Sequence, residues 1–149
     1  MAPASMTVLG VKSLHHDQAI LLDWCRTMDL LLVLHQTPSV SSDIVIHRLN
    51  WTKLPFSASS LEGKKKQLAP IRAVAWSPDG KSVVAGFHDG VIRVFEVESS
   101  DLVQELLPVT ETPTPVIAVS WCAEKQGHEK VLLLYSVPFC SDSFACLHS

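Results

Sequence analysis

The chain has 149 residues, 47% hydrophobic and 18% charged, with a formal net charge of -3. This balance excludes general disorder and gives no overall attraction to nucleic acid or anionic lipid. The longest uninterrupted apolar runs, Leu30 to Leu34 and Val131 to Tyr135, fall far short of the roughly 20 residues of a membrane helix. Residues 1–10 lack the positive start and apolar stretch of a secretory signal, so a soluble intracellular protein is expected.

His15, His16 and Asp17 come first among residues of metal-ligand type. Neighbours on an extended segment point apart, whereas a metal needs ligands converging on one point, so they read as a solvated entry. Ala19 to Trp24 is the first expected strand, Cys25 to Asp29 a turn, and Leu30 to His35 the second strand. A polar link, Gln36 to Asp43, leads to a third strand at Ile44 to Leu49, and Trp51 to Phe56 suits a fourth, outer one. Leu and Met content over residues 19–34 also suits a helix; the overlay on the next unit decides for strand. Ser57 to Pro70, which carries Lys64, Lys65 and Lys66, is expected to be an exposed loop. Three lysines in a loop read as solvation before they read as a localisation signal or an acidic-partner contact.

Ile71 to Val97 carries the clearest pattern: three β-rich runs joined by Ser77-Pro78-Asp79-Gly80 and His88-Asp89-Gly90. Proline presets φ at the second turn position, and glycine takes the left-handed position that a Cβ penalises. Asp89-Gly90 between apolar runs is a hairpin signal that places Gly90 at positive φ. In the third run Val91, Arg93, Phe95 and Val97 share one face, while Ile92, Val94 and Glu96 share the other. Apolar residues on both faces suit a sheet sandwiched between neighbours. Leu102 to Val109 is the expected fourth strand. Thr112 and Thr114 each precede a proline, a proline-directed phosphorylation pattern, but they read as stiffening of an inter-unit loop before they read as phosphorylation sites. Val116 to Trp121 and Val131 to Val137 begin a third unit, and Pro138 to Ser149 follows no strand pattern.

Trp24, Trp76 and Trp121 recur at spacings of 52 and 45 residues, near the roughly 40–50-residue period of radially stacked β-sheets. They are expected to be buried near the ends of equivalent inner strands. The fold class is therefore all-β: a partial β-propeller in an open arc of four-stranded antiparallel blades. Two full blades and part of a third occupy about 14–57, 68–109 and 114–137, and 138–149 form a non-blade tail.

No reaction centre emerges. There is no Gly-x-Ser-x-Gly elbow and no glycine-rich phosphate loop. Candidate nucleophiles and bases are scattered among turns, where they do not converge. His88 and Asp89, the best polar pair, read as turn residues. Cys140, Cys146 and His148 lack a Cys-x-x-Cys partner for zinc. Cys25 and Cys122 each follow a tryptophan and read as reduced, buried thiols. No catalytic, cofactor-binding or metal-binding residue is assigned, and no cofactor is expected.

Ser77-Pro78-Asp79-Gly80-Lys81, followed by Gly86 to Phe95, resembles a WD40 repeat in which Phe95-Glu96 replaces the closing Trp-Asp and no Gly-His dipeptide precedes the strands. The order of Ala19 to Trp24, Met28 to Val33, Ile44 to Leu49 with Trp51, and Ala73 to Lys81 is similar to the N-terminal WD40 region of the anaphase-promoting complex subunit 4 family. His47-Arg48-Leu49 ahead of the Trp-Ser-Pro-Asp-Gly-Lys blade is the more specific part of that resemblance, which covers roughly residues 14–137. It implies a non-catalytic scaffold subunit of a ubiquitin ligase controlling mitotic progression, in the nucleus and cytoplasm. It implies protein partners, the other subunits of that complex, and no nucleic acid, membrane or small-molecule substrate. The tail then reads as the altered end of a truncated product. The alternative is a general WD40 interaction module in membrane traffic or RNA processing.

Overall fold

The structure, a computed structural model, describes residues 18–36, 42–56, 58, 69–108, 114–123, 129–135 and 144–146, with side chains as far as Trp121. Among the described residues ten strands appear: β1 (Gln18–Trp24), β2 (Leu30–Gln36), β3 (Ser42–Arg48), β4 (Ile71–Trp76), β5 (Ser82–Phe87), β6 (Ile92–Glu96), β7 (Leu102–Leu106), β8 (Val116–Ala123), β9 (Glu129–Tyr135) and β10 (Phe144–Cys146). Their Val, Ile, Leu and aromatic content suits pleated, buried surfaces. They form three antiparallel sheets, β1-β2-β3, β4-β5-β6-β7 and β8-β9-β10, each a meander of consecutive strands. The inner strands lie side by side in the order β1, β4, β8.

Turn chemistry sets the second sheet. Gly80 (φ 75) and Gly90 (φ 85) both take the left-handed conformation. At Gly90 the turn has three residues: Gly90 N–H donates to the Phe87 carbonyl at 3.1 Å and Phe87 N–H to that of Val91 at 2.9 Å. His88 and Asp89 keep negative φ, so this hairpin is a type I turn closed by a glycine bulge, not a two-residue turn. The Ser77–Gly80 turn is tied by its side chains. The Ser77 hydroxyl donates to Asp79 Oδ1 at 2.6 Å, and the Lys81 N–H donates to the same oxygen at 2.9 Å. Ser77 Oγ in turn accepts the Ser82 N–H at 2.9 Å.

The expected alternation holds in β6. Val91, Phe95 and Val97 pack with the first sheet around Leu32, Leu34, Ile44 and Ile46, whereas Ile92 and Val94 pack with Val116 of the third. Gly86 sits where the third sheet comes closest: an added Cβ would meet Val116 Cβ at 2.8 Å and Val119 Cγ1 at 3.2 Å. Its reason is space, not backbone conformation.

Four expectations need correction. Trp51 to Phe56 forms no fourth strand. Trp51 takes φ 65, a left-handed turn unusual for a bulky residue, and Pro55 has no N–H to donate. The segment returns along β3 only through the His47–Lys53 bridge, with Arg48 N–H donating to Thr52 and Leu54 N–H to Ile46. Phe56 then turns inward, edge-on to Phe95 with centroids 6.1 Å apart. The loop expected at Ser57 to Pro70 lies mostly outside the described residues, but Ala58 within it is buried in the core. Phe144–Cys146, placed beforehand in a non-blade tail, pairs with β9. Finally, Trp24 is 47% exposed and Trp121 partly so, while Trp76 is buried. No described sheet lies on the side of β1 to which Trp24 points.

Candidate interaction surface

Each inner strand carries a bulge four residues before its tryptophan: at Ile20, Arg72 and Ile117. The bulged side chains are all exposed, as expected where an extra residue leaves the ladder. This shared irregularity establishes that Trp24, Trp76 and Trp121 are structurally equivalent, and hence that Asp23, Ala75 and Ser120, the residues before them, are equivalent too.

These strands frame a recess of about 440 Å³ lined by Asp23, Trp24, Arg26, Trp76, Ser120 and Trp121, among others. Within it Asp23 binds the second sheet twice. Trp76 N–H donates to Asp23 Oδ2 at 3.0 Å, and the Trp76 indole N–H donates to the Asp23 carbonyl at 3.1 Å. A hydrogen bond to a carboxylate is stronger than one between neutral groups, so β1 and β4 are latched as well as packed. One turn away, Thr27 donates to the Asp79 carbonyl at 3.1 Å, and Gly80 admits Cys25, Thr27 and Met28 against the turn. Burial works against the Asp79 charge. The Ser77 hydroxyl, the Lys81 N–H and the Lys81 ammonium outweigh it and hold that carboxyl below the usual aspartate range.

A second groove, about 450 Å³, runs between the first two sheets at Met28, Arg48, Pro55, Lys81, Glu96 and Val97, among others. Met28 is 41% exposed, and such a flexible thioether adapts to varied contacts. Across β6 and β7, Arg93 pairs with Glu105 at 2.7 Å and lies 4.7 Å over the Phe87 ring. That contact stiffens the outer strand of the second sheet.

None of this is arranged as a reaction centre. His88 N–H donates to the Pro70 carbonyl at 2.9 Å and Asp89 Oδ1 accepts the Val91 N–H at 3.2 Å, the turn role expected of them. Among the described residues no three metal-ligand side chains converge, and no helix is long and apolar enough to cross a membrane. Cys25 is a free, buried thiol. Thr114 is buried, which withholds its hydroxyl from a kinase and supports the structural reading. His15, His16, Asp17, Lys64, Lys65, Lys66, Thr112, Cys140 and His148 lie outside the described residues, as do the side chains of Cys122 and Cys146. The sequence reading missed Asp23; its signal was a carboxylate inside an apolar inner strand, directly before the repeated tryptophan.

Comparison with curated proteins yields no match. Among solved structures the chain is similar to the C-terminal WD40 domain of Sif2, at a TM-score of 0.56 and 17% identity; the match covers 80% of this chain and 31% of that one. At that identity the likeness establishes the fold, and WD40 folds serve in general as non-catalytic interaction modules. A family profile described as the anaphase-promoting complex subunit 4 WD40 domain matches residues 22–124, from within β1 to just beyond β8. The chain belongs to the family of WD40 domains of anaphase-promoting complex subunit 4.

Proposed function

We propose that the chain acts as a non-catalytic scaffold in the anaphase-promoting complex, working in the nucleus and cytoplasm through contacts with the other subunits. The family match over residues 22–124 carries this reading. It is supported by surfaces that, among the described residues, offer grooves and exposed apolar residues. The groove at Met28, Arg48 and Lys81 suits a protein segment with apolar anchors and mixed charge, since interface cores favour Met, Arg and aromatic side chains. Affinity purification of the tagged chain from dividing cells, read by mass spectrometry, tests it. Cullin-like and RING subunits are expected to co-purify in proportion. Recovery of membrane-traffic or RNA-processing components without them would favour a general WD40 module instead.

A further inference from the structure

The groove between the first two sheets is braced on both sides. Toward the inner strands, the Thr27 hydroxyl donates to the Asp79 carbonyl at 3.1 Å and ties the turn after β1 to the turn after β4. Toward the outer strands, the Ser100 hydroxyl donates to the Pro55 carbonyl at 3.4 Å. Ser100 takes φ 62, a left-handed conformation that a non-glycine residue seldom adopts. Between the two ties lie Met28 and the half-buried Leu54 and Val97, the last two packed on the shared core. A space of about 450 Å³ is that of a preformed ligand cleft, and braced walls leave less to be ordered when something enters.

Arg48 and Lys81 enter this groove from opposite sheets. Arg48 stands two residues beyond Ile46, and Lys81 two before Val83. Both apolar residues belong to the shared core, so strand alternation turns both cations toward the joint. Among the described residues neither makes an ion pair. The nearby carboxylates are largely engaged in their own turns. Asp79, which the Lys81 ammonium attracts, already takes the Ser77 hydroxyl and the Lys81 N–H. Glu96 takes the Ser99 hydroxyl at 2.8 Å, which leaves Glu98 at the rim. Two cations brought to one apolar floor repel each other until an anion sits between them. We propose that the groove receives a segment of another protein, which lays one large apolar side chain over Met28, Leu54 and Val97 and sets an adjacent carboxylate between Arg48 and Lys81. The guanidinium can hold that carboxylate through two parallel N–H donors. Of the charges on such a segment, the carboxylate is the one this groove reads. The inference deepens the scaffold reading and rests on it for taking a protein as the occupant.

Panning the purified 149-residue chain against a random peptide library displayed on phage tests it, with the enriched peptides resynthesised and their affinities read by fluorescence anisotropy. The expected peptides share a large apolar residue next to an aspartate or glutamate. Arg48→Glu and Lys81→Glu should each weaken their binding about tenfold or more. Arg48→Gln, which keeps most of the side chain and loses the charge, guards against misfolding and should give an intermediate loss at an unchanged thermal melt. Ser100→Gly tolerates the same φ and removes one tie, so it should weaken binding about threefold without unfolding the turn. The proposal is overturned by a panning that enriches nothing, by enriched peptides without acidic residues, or by affinities indifferent to both charge reversals. Self-association that Arg48→Glu dissolves would overturn it too, by making a second copy the occupant. Because no other subunit is present, a failure here is distinguishable from a failure of the affinity purification.

Discussion

The joint between the first and second sheets and the joint between the second and third solve one packing problem by different means. The first is a broad apolar interface with a polar latch, Asp23 holding both N–H groups of Trp76. The second is a close backbone approach, with Gly86 letting Val116 sit almost on β5. There Ala75 occupies the place of Asp23, and the buried Trp121 indole N–H has no partner among the described residues. Equivalent positions in a repeat therefore need not carry equivalent energy. A carboxylate makes a joint directional, whereas a glycine makes it close; the unpaired Trp121 indole N–H is a separate cost at the second joint, about 1–3 kcal/mol.

The sharpest way to break this contrast is at Gly86. Gly86→Val is expected to destabilise the chain by about 3 kcal/mol through overpacking at the second joint, read by urea denaturation. Val116→Ala in the same chain should recover much of that loss, whereas a change at Ile46 should not. Asp23→Ala attacks the other joint and should cost about 1–2 kcal/mol, because the Trp76 N–H is left unpaired. Asp23→Asn, which keeps the acceptor, should cost less. Ala75→Asp transplants the latch and is expected to raise Tm by about 2 °C; no gain would mean that the second joint cannot adopt the geometry of the first.

Acid titration probes the smallest effect. Asp79 supports the turn that meets Thr27, and its carboxyl is held below the ordinary value. Its contribution is therefore complete above the unfolded-state value, about pH 4, and is lost as pH falls through the lower folded value. The group is solvent-exposed, so the effect is screened and small. Asp79→Asn should flatten that part of the stability profile and leave neutral stability little changed.

The parts legible in the sequence are those that a few neighbouring residues decide. Ser77 to Gly80, His88 to Gly90 and the alternation of Val91 to Val97 locate the second sheet to within a residue or two. Turn conformation and strand period are local properties, which is why they show. What stayed hidden depends on other elements. The bulges at Ile20, Arg72 and Ile117 shift the pattern by one residue without any glycine to mark them. Trp51 to Phe56 has strand-like composition, yet the φ of Trp51 and the missing N–H of Pro55 turn it out of the ladder. Asp23 looks like an ordinary strand carboxylate until β4 is placed beside it. Trp24 repeats the position of Trp76, but its burial depends on a neighbour that the repeat pattern does not supply.

Because every sheet is a meander of consecutive strands, all the ladder hydrogen bonds close over short stretches of chain. Such local pairings incur little loop-closure entropy and form early, so each sheet can mature before the next has emerged from the ribosome. What joins the first two across the link between Ala58 and Ala69 is side-chain packing, the Asp23–Trp76 latch and the contact of Ser42 Oγ with the Ile71 N–H. Among the described residues, no ladder pairs a strand of the first sheet with one of the second. Cut at that link, the two pieces would meet again as partners do, through an interface instead of a hairpin, and the chain could be rebuilt from halves made separately.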